Sequence, residues 1–318
     1  MPEIGYALSS EEHPPNDLVA AARRAEEAGF TYALISDHFH PWVDAQGESP
    51  FVWGTIGGIA RTTERLRLGT GVTCPMIRTH PAIIAHAAAT AEAMMPGRFF
   101  LGLGTGENLN EHVTGARWPA GDERLEMLRE AIEVIRLLWQ GGRQTHRGRH
   151  YTVEDARIYT LPDPPPPIAV AAGKPGAAKL AGENDGFIGV APEKDLIDAF
   201  EQAGGKVKPR YGQVTICWAE SEDEAKKTAH EVWPNAAVQG ELAQELPNPE
   251  HFEQAAEMVT ADDVAESVVC GPDPEPVLEQ IKTYEEAGYD HVYLHQVGRD
   301  QEGFFRFAER EILAKFRS

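Results

Sequence analysis

Cysteine is scarce in this chain. Only Cys74, Cys217 and Cys270 occur among 318 residues, with no CxxC pair and no Cys/His spacing of a metal site. That excludes a disulfide-stapled scaffold and a structural zinc site, and it predicts a reduced, cytoplasmic setting with no metal. Positive charge is short as well. Lys and Arg number 29 against 50 Asp and Glu, a formal net charge of −21, so the basic face that nucleic acid or an anionic membrane requires is missing. An anionic ligand must then be met by local devices, helix N-termini or single cations. No stretch approaches the roughly 18 apolar residues of a membrane span, and Met1-Pro2-Glu3-Ile4-Gly5 lacks the basic-then-apolar pattern of an export signal. Neither export nor anchoring is expected.

What is present is a globular composition, 42% hydrophobic and 25% charged, with 30 Gly and 23 Pro gathered at loops. Short apolar runs alternate with helical patterns, the mark of βα units. Strands are expected at 4–8, 32–36, 66–70, 99–104, 168–172, 186–190, 214–218 and 291–295. Helices are expected near 17–28, 52–62, 81–95, 123–140, 176–181, 194–203, 221–232, 276–287 and, last, 304–316. Eight units with no repeat of sequence favour an α/β fold of the closed (β/α)8 TIM-barrel type over an open doubly wound sheet. The reading is one domain, 1–318, with rim insertions near 39–52, 141–167 and 233–259.

Active sites of such barrels lie past the C-terminal ends of the strands. Three places there carry chemistry. Ser36-Asp37-His38-Phe39-His40-Pro41-Trp42 follows the second strand and packs an acid, two imidazoles and an indole together. A base with a neighbouring carboxylate to orient it, beside a large flat side chain, suits proton transfer next to an aromatic cofactor. The bland alternative is that Asp37 makes a local turn bond, His38 is a satisfied core histidine and Trp42 fills the mouth, while His40 is a solvated loop residue. Gly102-Leu103-Gly104-Thr105-Gly106-Glu107-Asn108-Leu109-Asn110 follows the fourth strand. Its glycines would let backbone approach a planar or phosphorylated ligand and would aim Glu107 into the mouth, although turn geometry alone can explain them. Ala171-Ala172-Gly173-Lys174-Pro175-Gly176 enters a helix through small residues. It reads as a phosphate cradle or as a tight connection.

These motifs, with Glu111 after the second, closely resemble those of the coenzyme F420-dependent glucose-6-phosphate dehydrogenases of the luciferase-like superfamily, in the same order and at the same strand ends. The resemblance runs from Ile4 to the last helix. It implies that Asp37 and His38 face substrate and deazaflavin ring, with His38 the base that takes the hydroxyl proton and Trp42 bracing the reacting centre. It further implies that Glu107 exchanges a proton with the ring and that Asn110 contacts the cofactor together with Gly106. A non-proline cis peptide is implied at Gly71-Val72, under the ring. Ala171, Ala172 and Gly173 match the cofactor phosphate cradle, and Lys174 stands where glycine is usual, supplying a charge of suitable sign. A homodimer is implied as well.

The expected activity is therefore hydride transfer between coenzyme F420 and an alcohol, hemiacetal or sugar-like small molecule. The alternatives are an FMN-dependent luciferase-like monooxygenase and a non-catalytic deazaflavin-binding protein. Glucose 6-phosphate is not the expected substrate. The family's phosphate-clamping lysines fall at Glu193 and Gln254, its arginine at Ser267 and its threonine at Val190, with Lys194 one residue away. Substrate is expected to meet Glu11, His40, Val190 and Glu193 instead, with His13 close by.

Overall fold

The eight apolar runs pair into a sheet that closes on itself. In the computed structural model, which describes residues 1–238 and 240–316, the strands are β1 (Glu3–Leu8), β2 (Tyr32–Ile35), β3 (Arg67–Thr70), β4 (Phe99–Leu103), β5 (Ile168–Ala171), β6 (Gly186–Gly189), β7 (Arg210–Cys217) and β8 (His291–Gln296). Each lies parallel to the next, and β8 returns to β1 with Val292 opposite Ile4. The result is the (β/α)8 barrel that the pattern predicts.

Between and after the strands run α1 (Pro15–Ala28), α2 (Val52–Thr62), α3 (Pro81–Met94), α4 (Gly121–Trp139), α5 (Pro175–Glu183), α6 (Lys194–Phe200), α7 (Glu222–Val232) and α8 (Pro274–Ala287). Proline in the first turn starts α1, α3, α5 and α8, where its missing N–H costs nothing, and left-handed Gly29 and Gly288 stop α1 and α8. Their apolar faces build the main core against the outer side of the strands, including Leu18, Ile56, Ile84, Leu128 and Ile281. No helix among the described residues is long and apolar enough to cross a membrane.

Inward-facing side chains form a second, smaller core of Ala7, Tyr32, Leu34, Phe100, Tyr211 and Tyr293 with their neighbours. Space for these rings comes from glycine on adjacent strands. A Cβ on Gly69 would stand 2.1 Å from the Phe100 ring, so the lower lumen is plugged and only the mouth stays open.

β7 starts four residues before the expected position. Its first half, Arg210-Tyr211-Gly212-Gln213, is not an apolar run, but Tyr211 turns inward and stacks on Phe100 with ring centroids 4.9 Å apart. Residues 141–167 include an antiparallel hairpin, Gln144–Arg147 with Thr152–Ala156. Glu130 of α4 accepts from the backbone N–H groups of Arg149, His150 and Tyr151 and ties the hairpin to that helix. No residue of 141–167 lines the cavity described next. After α7 come short helical turns, Pro234–Ala237, Leu242–Glu245, Pro249–Ala255 and Ala261–Ala265.

Candidate active site

The barrel mouth opens into a cavity of about 780 Å³. It is bordered by residues just past the strand ends, with Trp42, Trp233, the 240–244 stretch and Phe252 over it. His38, Asp37, Trp42 and Glu107 all line it. So do Gly71, Val72, Gly106, Asn110 and the run Ala171, Ala172, Gly173, Lys174.

His38 is nearly buried, at 10% side-chain exposure, and its two ring nitrogens have different partners. Nδ1 lies 3.2 Å from the His40 carbonyl oxygen, which can only accept, so Nδ1 carries hydrogen. Nε2 is then the atom free to take a proton, and the Glu11 carboxylate waits 3.3 Å from it. Burial pushes the Glu11 carboxyl up, but His38 and the Ser36 hydroxyl outweigh burial and hold it below its ordinary value. Ser36 donates to Glu11 at 2.5 Å and Ser9 at 3.2 Å. Such a carboxylate stabilises an imidazolium at the moment it forms.

This arrangement corrects the expectation that Asp37 orients His38. Asp37 accepts from the Thr73 hydroxyl at 2.7 Å and pairs with the Arg78 guanidinium at 2.8 Å. The same arginine meets the fully buried Glu111, by its backbone N–H at 2.7 Å and its side chain at 3.4 Å. Burial pushes the Glu111 carboxyl above its ordinary value even so. Arg78 thus fixes the loops after β2, β3 and β4 together, and its charge offsets two buried acids.

Asn110 is 2% exposed and works as a brace. Its Oδ1 accepts from the N–H groups of Phe39 and His40, at 2.8 and 3.2 Å, and its Nδ2 donates to Glu107 Oε2 at 3.2 Å. One Glu107 oxygen is therefore engaged, and the other is left to the cavity. The Trp42 ring lies 5.0 Å from His38 and is wedged by Phe252 at 5.2 Å.

Glu11 and Val190 line the cavity, but His40 and Glu193 do not. His40 turns away because its Nδ1 is engaged by the Leu109 carbonyl at 2.9 Å and its ring stacks on His112. Glu193 stands just before α6 in solvent, with no capping bond from its side chain, and Lys194 next to it pairs with Asp198 at 2.8 Å on the helix exterior.

Sequence reasoning missed Arg124, Gln213 and His295 in the cavity lining, and Arg78 and Glu12, which contact lining residues from behind. His295 lies two residues past Tyr293 on β8, so the period of two that turns Tyr293 inward was the signal that could have found it. Burial pushes its imidazole down to about 4, and burial pushes the Glu12 carboxyl up to about 8. Glu12 Oε2 and His295 Nε2 lie 3.8 Å apart, and neither has a hydrogen-bond partner among the described residues.

The backbone around the cavity suits a flat ring with an anionic chain. The Gly71–Val72 peptide is cis. Gly106 has φ +68°, a conformation that favours glycine, and a Cβ there would stand 2.7 Å from Cys74 Sγ. Past β5 the small residues run into the start of α5, whose first turn has no side-chain cap, so its N–H groups remain available to an anion.

Residues 1–291 match the luciferase-like monooxygenase family. The chain belongs to that family. Within it, a relative from Nocardia farcinica, an F420-dependent glucose-6-phosphate dehydrogenase, is 35% identical, with 99% of this chain and 98% of that protein covered. A solved structure of an F420-dependent secondary alcohol dehydrogenase, in complex with an F420-acetone adduct, superposes with a TM-score of 0.91 at 30% identity over 100% of this chain and 99% of that one. The coenzyme F420-dependent tetrahydromethanopterin reductase of Methanopyrus kandleri shares the fold, with a TM-score of 0.80 at 21% identity and 99% of each chain covered.

Proposed function

We propose that this luciferase-like protein is a coenzyme F420-dependent dehydrogenase that oxidises a neutral alcohol, hemiacetal or unphosphorylated sugar. The observation that carries the reading is the His38–Glu11 couple in a cavity whose rim is fitted to a deazaflavin. When bound, the coenzyme supplies the hydride acceptor. His38 Nε2 takes the hydroxyl proton of the substrate, Glu11 stabilises the resulting imidazolium, and Trp42 with Phe252 holds the imidazole in place. Glu107 offers a carboxylate oxygen for proton exchange at the ring, braced by Asn110.

A neutral substrate is favoured by the charges at this end. Glu11, Asp37, Glu107 and Glu111 line the cavity, and the cations that line it are only Lys174 and Arg124 among the described residues. Both are already paired, with Glu241 and Glu245. A substrate phosphate beside His38 would meet Glu11 and Glu107, while the one cation nearby, Arg78, is already taken by Asp37 and Glu111.

The test follows bleaching of the oxidised deazaflavin band with secondary alcohols, glucose and glucose 6-phosphate in parallel. Reduction by a neutral alcohol or sugar is expected. Efficient reduction by glucose 6-phosphate at a low micromolar KM would overturn the substrate reading. Fluorescence titration with FMN beside F420 addresses the cofactor, since tighter FMN binding would favour a monooxygenase. F420 binding with no reduction by any alcohol would favour a non-catalytic binder. Assembly as a homodimer, which light scattering would report, belongs to the same proposal.

A further inference from the structure

The two cations of the cavity lie together at the adjoining starts of α4 and α5. A Cβ on Gly176 in the first turn of α5 would stand 2.9 Å from the side chain of Leu125 in α4. Lys174 is the residue that precedes α5, and Arg124 is in the first turn of α4, whose start carries no side-chain cap. Arg124 is 4% exposed, rests over the Trp118 ring at 4.4 Å and leaves its Nε without a partner. A buried guanidinium beside two uncapped helix starts is a built anion site.

One short stretch of chain covers both cations. Glu241 pairs with Lys174 at 2.7 Å, while Glu245 and Gln244 accept from the two terminal nitrogens of Arg124 at 3.0 Å each. The Glu245 carbonyl is held in turn by Asn108 Nδ2 at 2.9 Å. With this stretch in place, Glu241, Glu245 and Asp122 outnumber the cations, and an approaching anion is repelled. With it displaced, Lys174 and Arg124 outnumber Asp122. The outer pair is readily exchanged, because Lys174 and Glu241 are 68% and 78% exposed.

We propose that residues 240–245 are an anionic stand-in for the coenzyme's side chain. Glu241 holds the station at Lys174, which takes the phosphate, and Glu245 holds a second station at Arg124, which takes a carboxylate further along that chain. Coenzyme binding displaces both glutamates. The proposal rests on the coenzyme reading above.

The experiment measures fluorescence-quenching affinities of intact F420 and of its deazaflavin-ribityl fragment, which has no phosphate or carboxylate. Removing both competing charges with E241Q/E245Q should tighten intact F420 by about three- to tenfold and leave the fragment within about twofold. Lys174→Gln, exposed and safe for folding, should weaken intact F420 alone. Unchanged or weaker binding of intact F420 to the double variant, or equal changes for both probes, would overturn the stand-in. If the unaltered protein quenched neither probe, the coenzyme reading would fall and this proposal with it. F420 binding that ignores both glutamates would remove only the latter.

Discussion

At the His38 end of the cavity the charges are buried and paired by side chains from different βα loops, Glu11 with His38 and both Asp37 and Glu111 with Arg78. At the Lys174 end the partners come from one short stretch and meet partly in solvent. The contrast separates two tasks. Chemistry needs groups fixed before substrate arrives, and burial with several bonds per side chain fixes them. Taking up an anionic chain needs partners that can be exchanged, and exposed pairs are cheap to exchange. On the proposed reading, the buried multi-bonded pairs serve the reacting centre, and the exposed Lys174–Glu241 pair beside the buried Arg124 serves access.

Breaking the buried end should have the largest consequence. His38→Ala is expected to lower kcat by about 10²- to 10⁴-fold, the usual reach of general-base catalysis, with F420 affinity within a few fold. Stopped-flow reduction rates beside fluorescence titration check this, and retention of most of kcat would remove His38 from the mechanism. Arg78→Met strikes the support instead. It leaves Asp37 and Glu111 buried without a cation, so denaturant unfolding should show a loss of about 3–5 kcal/mol, the scale for breaking a buried pair. A loss under about 1 kcal/mol, that of an ordinary exposed pair, would mean that the loops after β2, β3 and β4 do not depend on this residue.

A gentler probe of the buried end is pH. The folded-state pKa of Glu12 is raised, to about 8 against an ordinary 4.5. Its contribution to stability is then full below the ordinary value and is lost as pH rises toward 8, because the fold prefers the protonated form. His295 runs the other way. Lowered to about 4 from 6.5, it contributes above the ordinary value and loses that contribution as pH falls through 4. Glu12→Gln cannot ionise, and its carbonyl can still accept from Gly298, as Glu12 Oε1 does at 2.8 Å. Its Tm relative to the parent should therefore be level at pH 4 and higher at pH 9, by a few degrees. A gap that does not change with pH would show that Glu12 is already ionised in the fold.

The barrel was legible because burial writes a local pattern. Apolar runs of four to six residues separated by helical periodicity give all eight strands, and only β7 hid its first half behind Arg210, Gly212 and Gln213. The identity of His38, Trp42 and Glu107 as cavity residues was legible too, since each follows a strand closely. Their partners were not. Asp37 is adjacent to His38 in sequence and so invites pairing with it, yet its carboxylate is taken by Thr73 and Arg78 from the loop after β3. The carboxylate that meets His38 comes instead from the neighbouring β1 loop. Arg78 and Arg124 were missed for the same reason, because nothing local in Met76-Ile77-Arg78 or in the start of α4 says which distant acids they meet.

The smallest expected effect tests the one place where sequence matching and geometry part most clearly. Matching puts Glu193 at a phosphate-clamping lysine, so Glu193→Lys ought to restore part of a clamp and bring in glucose 6-phosphate. The structure puts Glu193 at the start of α6, exposed and outside the cavity lining, next to Lys194, which already offers a cation there without entering the cavity. A new ammonium in solvent acts through water and salt, which screen exposed charges over about 8–10 Å. The expected outcome is kcat/KM for neutral alcohols and for glucose 6-phosphate each within about twofold of the parent. A tenfold or larger gain for the phosphate alone would show that the α6 start closes over the substrate, and the neutral-substrate reading would then have to yield to a phosphate site assembled on binding.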